Sequence, residues 1–307
     1  MKKVFSSLFI VTFFLFLILC PAKAVHSAAA GLSLWMNTLI PTLLPVMILS
    51  NLLVITGISS LIVRPFFPFF HKMFGTSPSG TYALLCGFLC GFPMGSKILA
   101  DLCEQNAISK KEAQKLCPFC NNVSPAFVSS YLIGGFLPFL PNHLIVFLIL
   151  YGAPLLYGMF TCAIHRQYWI DSSLSSNKAS FTAPTFAMID ACITNGIHSI
   201  TKLGGYIVIF SVCAEIINQF FVPWPLLSAS LTSLMEMTTG ITQIASLNLD
   251  KRLSSILLIT CAAFGGLCTA VQSQLMLRTI QLPIGKYLKA RFFIAILAAF
   301  LSGCFFL

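Results

Sequence analysis

Charge is what this sequence has least of. Only 8% of its 307 residues are Asp, Glu, Lys or Arg, where a soluble domain carries about 25%. With 57% hydrophobic residues, too little polar surface remains to hold a chain of this size in water, and a bilayer is the solvent that suits it. Enzyme signatures are missing too: there is no His-Glu-x-x-His, no Gly-x-Ser-x-Gly and no P-loop. Cys117-Pro-Phe-Cys120 is the one Cys-x-x-Cys. It has neither a second such pair nor paired histidines, whereas a structural zinc takes about four ligands. The other cysteines lie singly, mostly in apolar runs, as small hydrophobes. No stripe of Lys and Arg interleaved with aromatics offers a nucleic-acid surface. The net charge of +10 is the excess expected of cytoplasmic loops. The chain reads as a membrane protein and not an enzyme, with no metal and no cofactor.

Apolar runs fill the space that charge leaves. Lys2 and Lys3 precede a run from Phe5 to Cys20, and Ala22-Lys23-Ala24 fits a small-x-small cleavage site. Residues 1–24 are therefore a first transmembrane helix, a signal anchor or a signal peptide. A long apolar segment follows from about Leu39 to Val63. Next come a short segment from Gly80 broken at Gly91, Pro93 and Gly95, a broken segment from Leu116 to Phe136, and a plain one from His143 to Ala163. Between them, Ser109-Lys-Lys-Glu112 resembles a capping box that opens a short surface helix. A polar connector at 165–188 ends the first half. The same grammar then returns: a long segment within 189–222, a short one broken at Glu236-Met-Thr-Thr-Gly240, one broken at Gly265-Gly-Leu-Cys-Thr269, and a plain one from Phe292 to Leu307. Such weak internal symmetry marks many transporters. The domains expected are 1–24, a first repeat at 25–164, a cytoplasmic connector at 165–188 and a second repeat at 189–307.

Basic residues set the topology. With a cytoplasmic N-terminus and two re-entrant hairpins, thirteen Lys and Arg fall inside and three outside, leaving Lys97 and Lys202 uncounted. Full crossings in place of the hairpins give eight on each side. The excess of inside charge favours re-entrant hairpins. Each half then crosses three times, which inverts the second half relative to the first. The fold class expected is an all-α integral membrane protein with two inverted-topology repeats, re-entrant hairpins and broken transmembrane helices.

Breaks at membrane depth free backbone groups, which are tolerated only inside protein or around a water-filled cavity. Freed N–H groups at half-helix starts suit an anion or polar ligand, and freed carbonyls suit a cation. Polar side chains gather at the same places. The substrate-binding set expected is Gly91, Pro93, Gly95, Ser96 and Lys97; Asn121, Asn122 and Ser124; Glu236, Thr238, Thr239 and Gly240; and Gly265, Gly266 and Gln272. The plainer reading is that these side chains bond packed helices together. Lys97 and Glu236 are the expensive members, since an intramembrane charge costs roughly 3 kcal/mol even on lenient scales. A Lys97–Glu236 pair would offset that cost, unless Lys97 reaches the cytoplasmic interface. Glu236 is also the natural site for Na⁺ or H⁺ coupling.

Four runs in order carry a resemblance: Gly87-Phe-Leu-Cys-Gly-Phe-Pro-Met-Gly95, Phe119-Cys-Asn-Asn-Val-Ser-Pro125, Glu236-Met-Thr-Thr-Gly240 and Phe264-Gly-Gly-Leu267. Over about residues 30–305 the chain resembles the YlbJ family of sporulation integral membrane proteins. That family belongs with the nucleoside-recognition Gate domain proteins, which are similar to concentrative nucleoside transporters and to the membrane part of ferrous iron transporters. The resemblance implies a multi-pass protein of the bacterial cytoplasmic membrane. It also implies two Gate-type hairpins and a transport-like core for a small polar solute, nucleoside-like or an ion. The alternative is a non-transporting protein needed for the spore envelope or cortex. Expected partners are the lipid bilayer and that solute, with a homo-oligomer left open and nucleic acid excluded.

Overall fold

The computed structural model describes residues 2–164, 182–276 and 280–306. Most of the expected 165–188 connector lies outside these, as does Arg278. Every regular element among the described residues is helical. The order is α1 (Lys2–Leu19), α2 (Pro21–Leu34), a π turn (Trp35–Leu39), α3 (Ile40–Ile55), α4 (Ser59–Val63), α5 (Phe67–Phe74), α6 (Pro78–Cys90), α7 (Met94–Glu104) and α8 (Lys110–Cys120). A second π turn (Phe127–Ile133), α9 (Gly134–Phe136) and α10 (His143–Ile164) complete the first half. The second half holds α11 (Phe186–Phe220), α12 (Pro225–Met235), α13 (Met237–Ser246), α14 (Lys251–Phe264), α15 (Gly266–Met276) and α16 (Ile284–Phe306).

The helix starts follow from local chemistry. Pro21 and Pro78 sit in first turns, where the missing N–H is no loss. Ser77 caps α6 by accepting Gly80 N–H at 3.0 Å, Thr185 caps α11 and Asp250 caps α14. Ser109 accepts Glu112 N–H at 3.1 Å, as the capping box predicts. The helix it opens is not confined to the surface, however. It continues to Cys120, into the broken segment, while Glu112 Oε1 accepts Ser77 N–H at 2.7 Å and ties α8 to the start of α6.

Two starts differ from the hydropathy pattern. The first long helix begins at Pro21, not Leu39, and runs 35 residues to Ile55. A wide π turn just before Pro41 carries the helix into α3 without a break. The last helix begins at Ile284, not Phe292, and so takes in Arg291.

The two 35-residue helices lie antiparallel along their whole length. Lys23 donates to Gln219 at one end, Trp35 Nε1 donates to the Ile200 carbonyl at 2.8 Å near the middle, and Thr182 N–H meets the Thr56 carbonyl at the other end. Gly204 permits this closeness, since a Cβ there would lie 2.5 Å from the Trp35 ring. Leu8, Phe14, Leu148, Phe160, Phe292 and Phe300 point outward, an apolar exterior suited to lipid.

Candidate functional site

Two tight hairpins are the first part of the site. After Cys90, Gly91 takes φ +86°, a region an L side chain rarely enters. Pro93 then opens α7, which folds back on α6. The crossing is made by glycines: a Cβ at Gly87 would lie 3.1 Å from Gly95 Cα and inside the van der Waals shell of the Cys120 carbonyl. The second hairpin turns at Glu236, whose backbone is extended between α12 and α13. There a Cβ at Gly240 would collide with the backbone of Ser233.

Each hairpin tip rests on the break that follows it in sequence. Gly91 faces Ser124 in the break after α8, and Gly266 faces Met235 and Met237 around the second tip. Phe92 of the first hairpin also reaches Gly265, so the two halves meet at their breaks. Gly265 and Gly266 both take positive φ, at +85° and +81°.

The two half-helix starts are already occupied. Pro93 cannot cap α7, and Asn121 does so from another element: its Oδ1 accepts Ser96 N–H at 2.9 Å. Its Nδ2 donates to Ser96 Oγ and, at 3.4 Å, to Ser273 Oγ. The start of α13 is capped by Glu236 itself. Its carboxylate accepts Thr238 N–H (3.0 Å) and Oγ1–H (2.6 Å), and Thr239 N–H (2.7 Å) and Oγ1–H (2.8 Å). Freed carbonyls are satisfied as well. Tyr151 donates to the Val123 carbonyl at 2.9 Å, Asn122 Nδ2 to Phe119 at 2.8 Å, and Tyr131 to Thr238 at 2.9 Å. Ser124 Oγ accepts Phe127 N–H at 3.2 Å and restarts the helix beyond the break.

The two half-helix ends share one side chain, Arg291, which is one of the thirteen basic residues expected on the cytoplasmic side. Arg291 of α16 is only 2% exposed. Its Nη1 donates to the Asn121 carbonyl at 2.7 Å and to Asn122 Oδ1 at 3.2 Å. Its Nε donates to the Phe264 carbonyl at 3.3 Å, and its Nη2 to the Ala263 carbonyl. The Phe92 ring lies over the guanidinium with its centroid 4.9 Å away.

Most of the expected residues therefore converge: Gly91, Pro93, Gly95, Ser96, Asn121, Asn122 and Ser124 from the first half, and Glu236, Thr238, Thr239, Gly240, Gly265 and Gly266 from the second. Gln272 is buried, but its amide donates to Cys268 Sγ one turn away at 3.1 Å. Lys97 departs from expectation. It pairs with Asp101 one turn along α7, at 2.5 and 2.7 Å, so the expected Lys97–Glu236 pair does not form. An i, i+4 partner needs no second element, and Glu236 already has four donors. Arg291 is the member that charge counting missed. The signal for it was periodicity: Tyr287, Ala290, Arg291, Ile294, Ala295 and Ala298 form one buried face of α16, which leaves out the exposed Lys286 and Lys289.

Replacing Asn121 by Ala should remove the borrowed cap and leave Ser96 N–H buried without a partner. A loss of about 2 kcal/mol is expected, seen as a lower melting temperature in detergent. Asn121→Asp, which keeps the acceptor beside Arg291, should lose less.

Among the described residues, no three His, Cys, Asp or Glu side chains come together as a metal site. Over 233 residues the chain is 27% identical to the sporulation integral membrane protein YlbJ of Bacillus subtilis (strain 168), covering 69% of this chain and 57% of that protein. The chain thus spans little more than half the length of that relative. No family model matches the chain, and no solved structure matches it. Five helices among the described residues are long and apolar enough to cross a bilayer and, together with the bacterial relative, make this a multi-pass protein of the bacterial cytoplasmic membrane, distantly related to a sporulation membrane protein.

Proposed function

We propose that this chain is a transporter-like protein that moves a small polar solute, nucleoside-like or an ion, across the cytoplasmic membrane, and that its centre is closed in the state described. The observation that carries this reading is the meeting of four backbone breaks, each with polar side chains at it. Discontinuous helices with their ends turned toward a common point are how many transporters hold solute. The halves as inverted repeats with re-entrant hairpins belong to the same proposal. In its support, each half runs long helix, hairpin, broken helix, plain helix, and the two long helices are antiparallel.

The closure is polar. Ser96, Asn121, Asn122 and Ser273 are 0–2% exposed and bond one another or their neighbours. Opening would exchange these bonds for bonds to water and solute at similar strength, which an apolar seal could not do. Coupling to Na⁺ or H⁺ through Glu236 would require its carboxylate to release Thr238 and Thr239.

The same self-satisfied cluster favours a second reading, in which the protein does not transport and serves formation of the spore envelope or cortex; the B. subtilis relative is named only as a sporulation integral membrane protein. Cysteine accessibility separates the two. In a background without the native cysteines, single cysteines at Ser96, Asn122 and Thr239 are treated with a water-soluble thiol reagent, with and without a nucleoside panel and Na⁺. Transport predicts labelling that responds to the added solute. Centres that stay unlabelled under every condition favour the assembly role.

A further inference from the structure

Arg291 is a buried cation whose charge is balanced in an unusual way. Lys97, the other deeply buried cation, has the Asp101 carboxylate. Among the described residues no acidic side chain pairs with Arg291, and its acceptors are three main-chain carbonyls and one amide oxygen. Ala263 and Phe264 lie in the last turn of α14, where backbone acceptors have no intrahelical partner, and Asn121 is the extended residue that directly follows the end of α8. Each helix C-terminus carries about half a negative charge, so two of them offset roughly one positive charge. The Phe92 ring covers the guanidinium face and adds a cation–π contact.

We propose that the ends of α8 and α14 form a cation site filled by the protein's own Arg291, a tethered cation standing where a dissolved one would otherwise be needed. The class of ligand that fits is a small monovalent cation, and best a planar guanidinium, whose N–H fork matches acceptors lying in several directions. The closed centre then needs no Na⁺ for its stability. This holds whether or not the centre opens to pass a solute.

The test is chemical rescue of the purified full-length protein, read as melting temperature in detergent. Wild type should melt at the same temperature in sodium, potassium or choline chloride. Arg291→Ala should melt lower by roughly 10 °C, the scale for stranding one side of a buried charge arrangement. Millimolar methylguanidinium should restore several degrees in a saturable way, while methylurea, a neutral analogue of the same shape, should restore none. A variant that melts with wild type would overturn the proposal, as would equal effects of methylguanidinium and methylurea. A wild type that loses stability in choline would overturn its independence from Na⁺. If Arg291→Ala does not accumulate, Arg291→Lys is compared with the uncharged Arg291→Met: a higher melting temperature for Lys supports a cation site, and equal temperatures refute it.

Discussion

Gly87→Ala is expected to lose about 3 kcal/mol or more, enough to reduce the yield of folded, monodisperse protein sharply. The added methyl points at the Cys120 carbonyl and carbon, which are backbone and cannot swing aside. Relief would require α6 to move off the α8 break, and Gly95, which faces the same carbonyl, would lose its packing too. Gly152→Ala in α10 is the control. A Cβ there meets nothing within 4 Å, and the change should stay within about 0.5 kcal/mol of wild type. Size-exclusion profiles and melting curves of the two variants measure the difference. Similar losses in both would mean that the first hairpin does not depend on this close crossing.

Asp101→Ala is expected to lose about 3–5 kcal/mol, because it leaves the Lys97 ammonium buried without its partner. The double change Lys97→Met with Asp101→Leu should recover most of that, since apolar pairs of similar volume often replace buried ion pairs at little loss. Thermal melts of the single and double variants close the cycle. A double variant no better than the single would show that Lys97 has a second partner supplying most of its stabilisation.

These two cases mark what the sequence makes legible. Breaks are visible because Gly, Pro, Asn and a lone Glu are conspicuous among Leu, Ile and Phe. The turns fall where Gly91, Asn121, Glu236 and Gly265 predict them. Partners are harder to read, because a partner is a fact of three-dimensional packing. Asp101 was the nearest answer for Lys97, four residues along the same helix, yet the two hairpin tips offered a rival that only the fold could remove. Arg291 was hidden by its neighbours. Lys286 and Lys289 do face outward, and a third basic residue beside them reads as more of the same loop charge. What distinguishes it is its place on the face of small residues that packs inward, and its acceptors are carbonyls, which every residue has and no composition reveals. The first long helix extends well before the expected start at Leu39, through the small residues upstream and the polar Asn37 and Thr38. The π turn accommodates them at a place where polar character and helix continuity coexist.

The paired long helices have a consequence for the lipid itself. At about 1.5 Å per residue, 35 residues extend about 52 Å, whereas the hydrocarbon layer is about 30 Å thick. Such rods can fit only by leaning over or by standing proud of the headgroups. Because the two are joined from Lys23–Gln219 to Thr56–Thr182, they must lean as one ribbon. α11 leads through a short turn into the second hairpin, so a change in the ribbon's angle is delivered there. A thicker bilayer accommodates the ribbon at a steeper angle and a thinner one at a shallower angle.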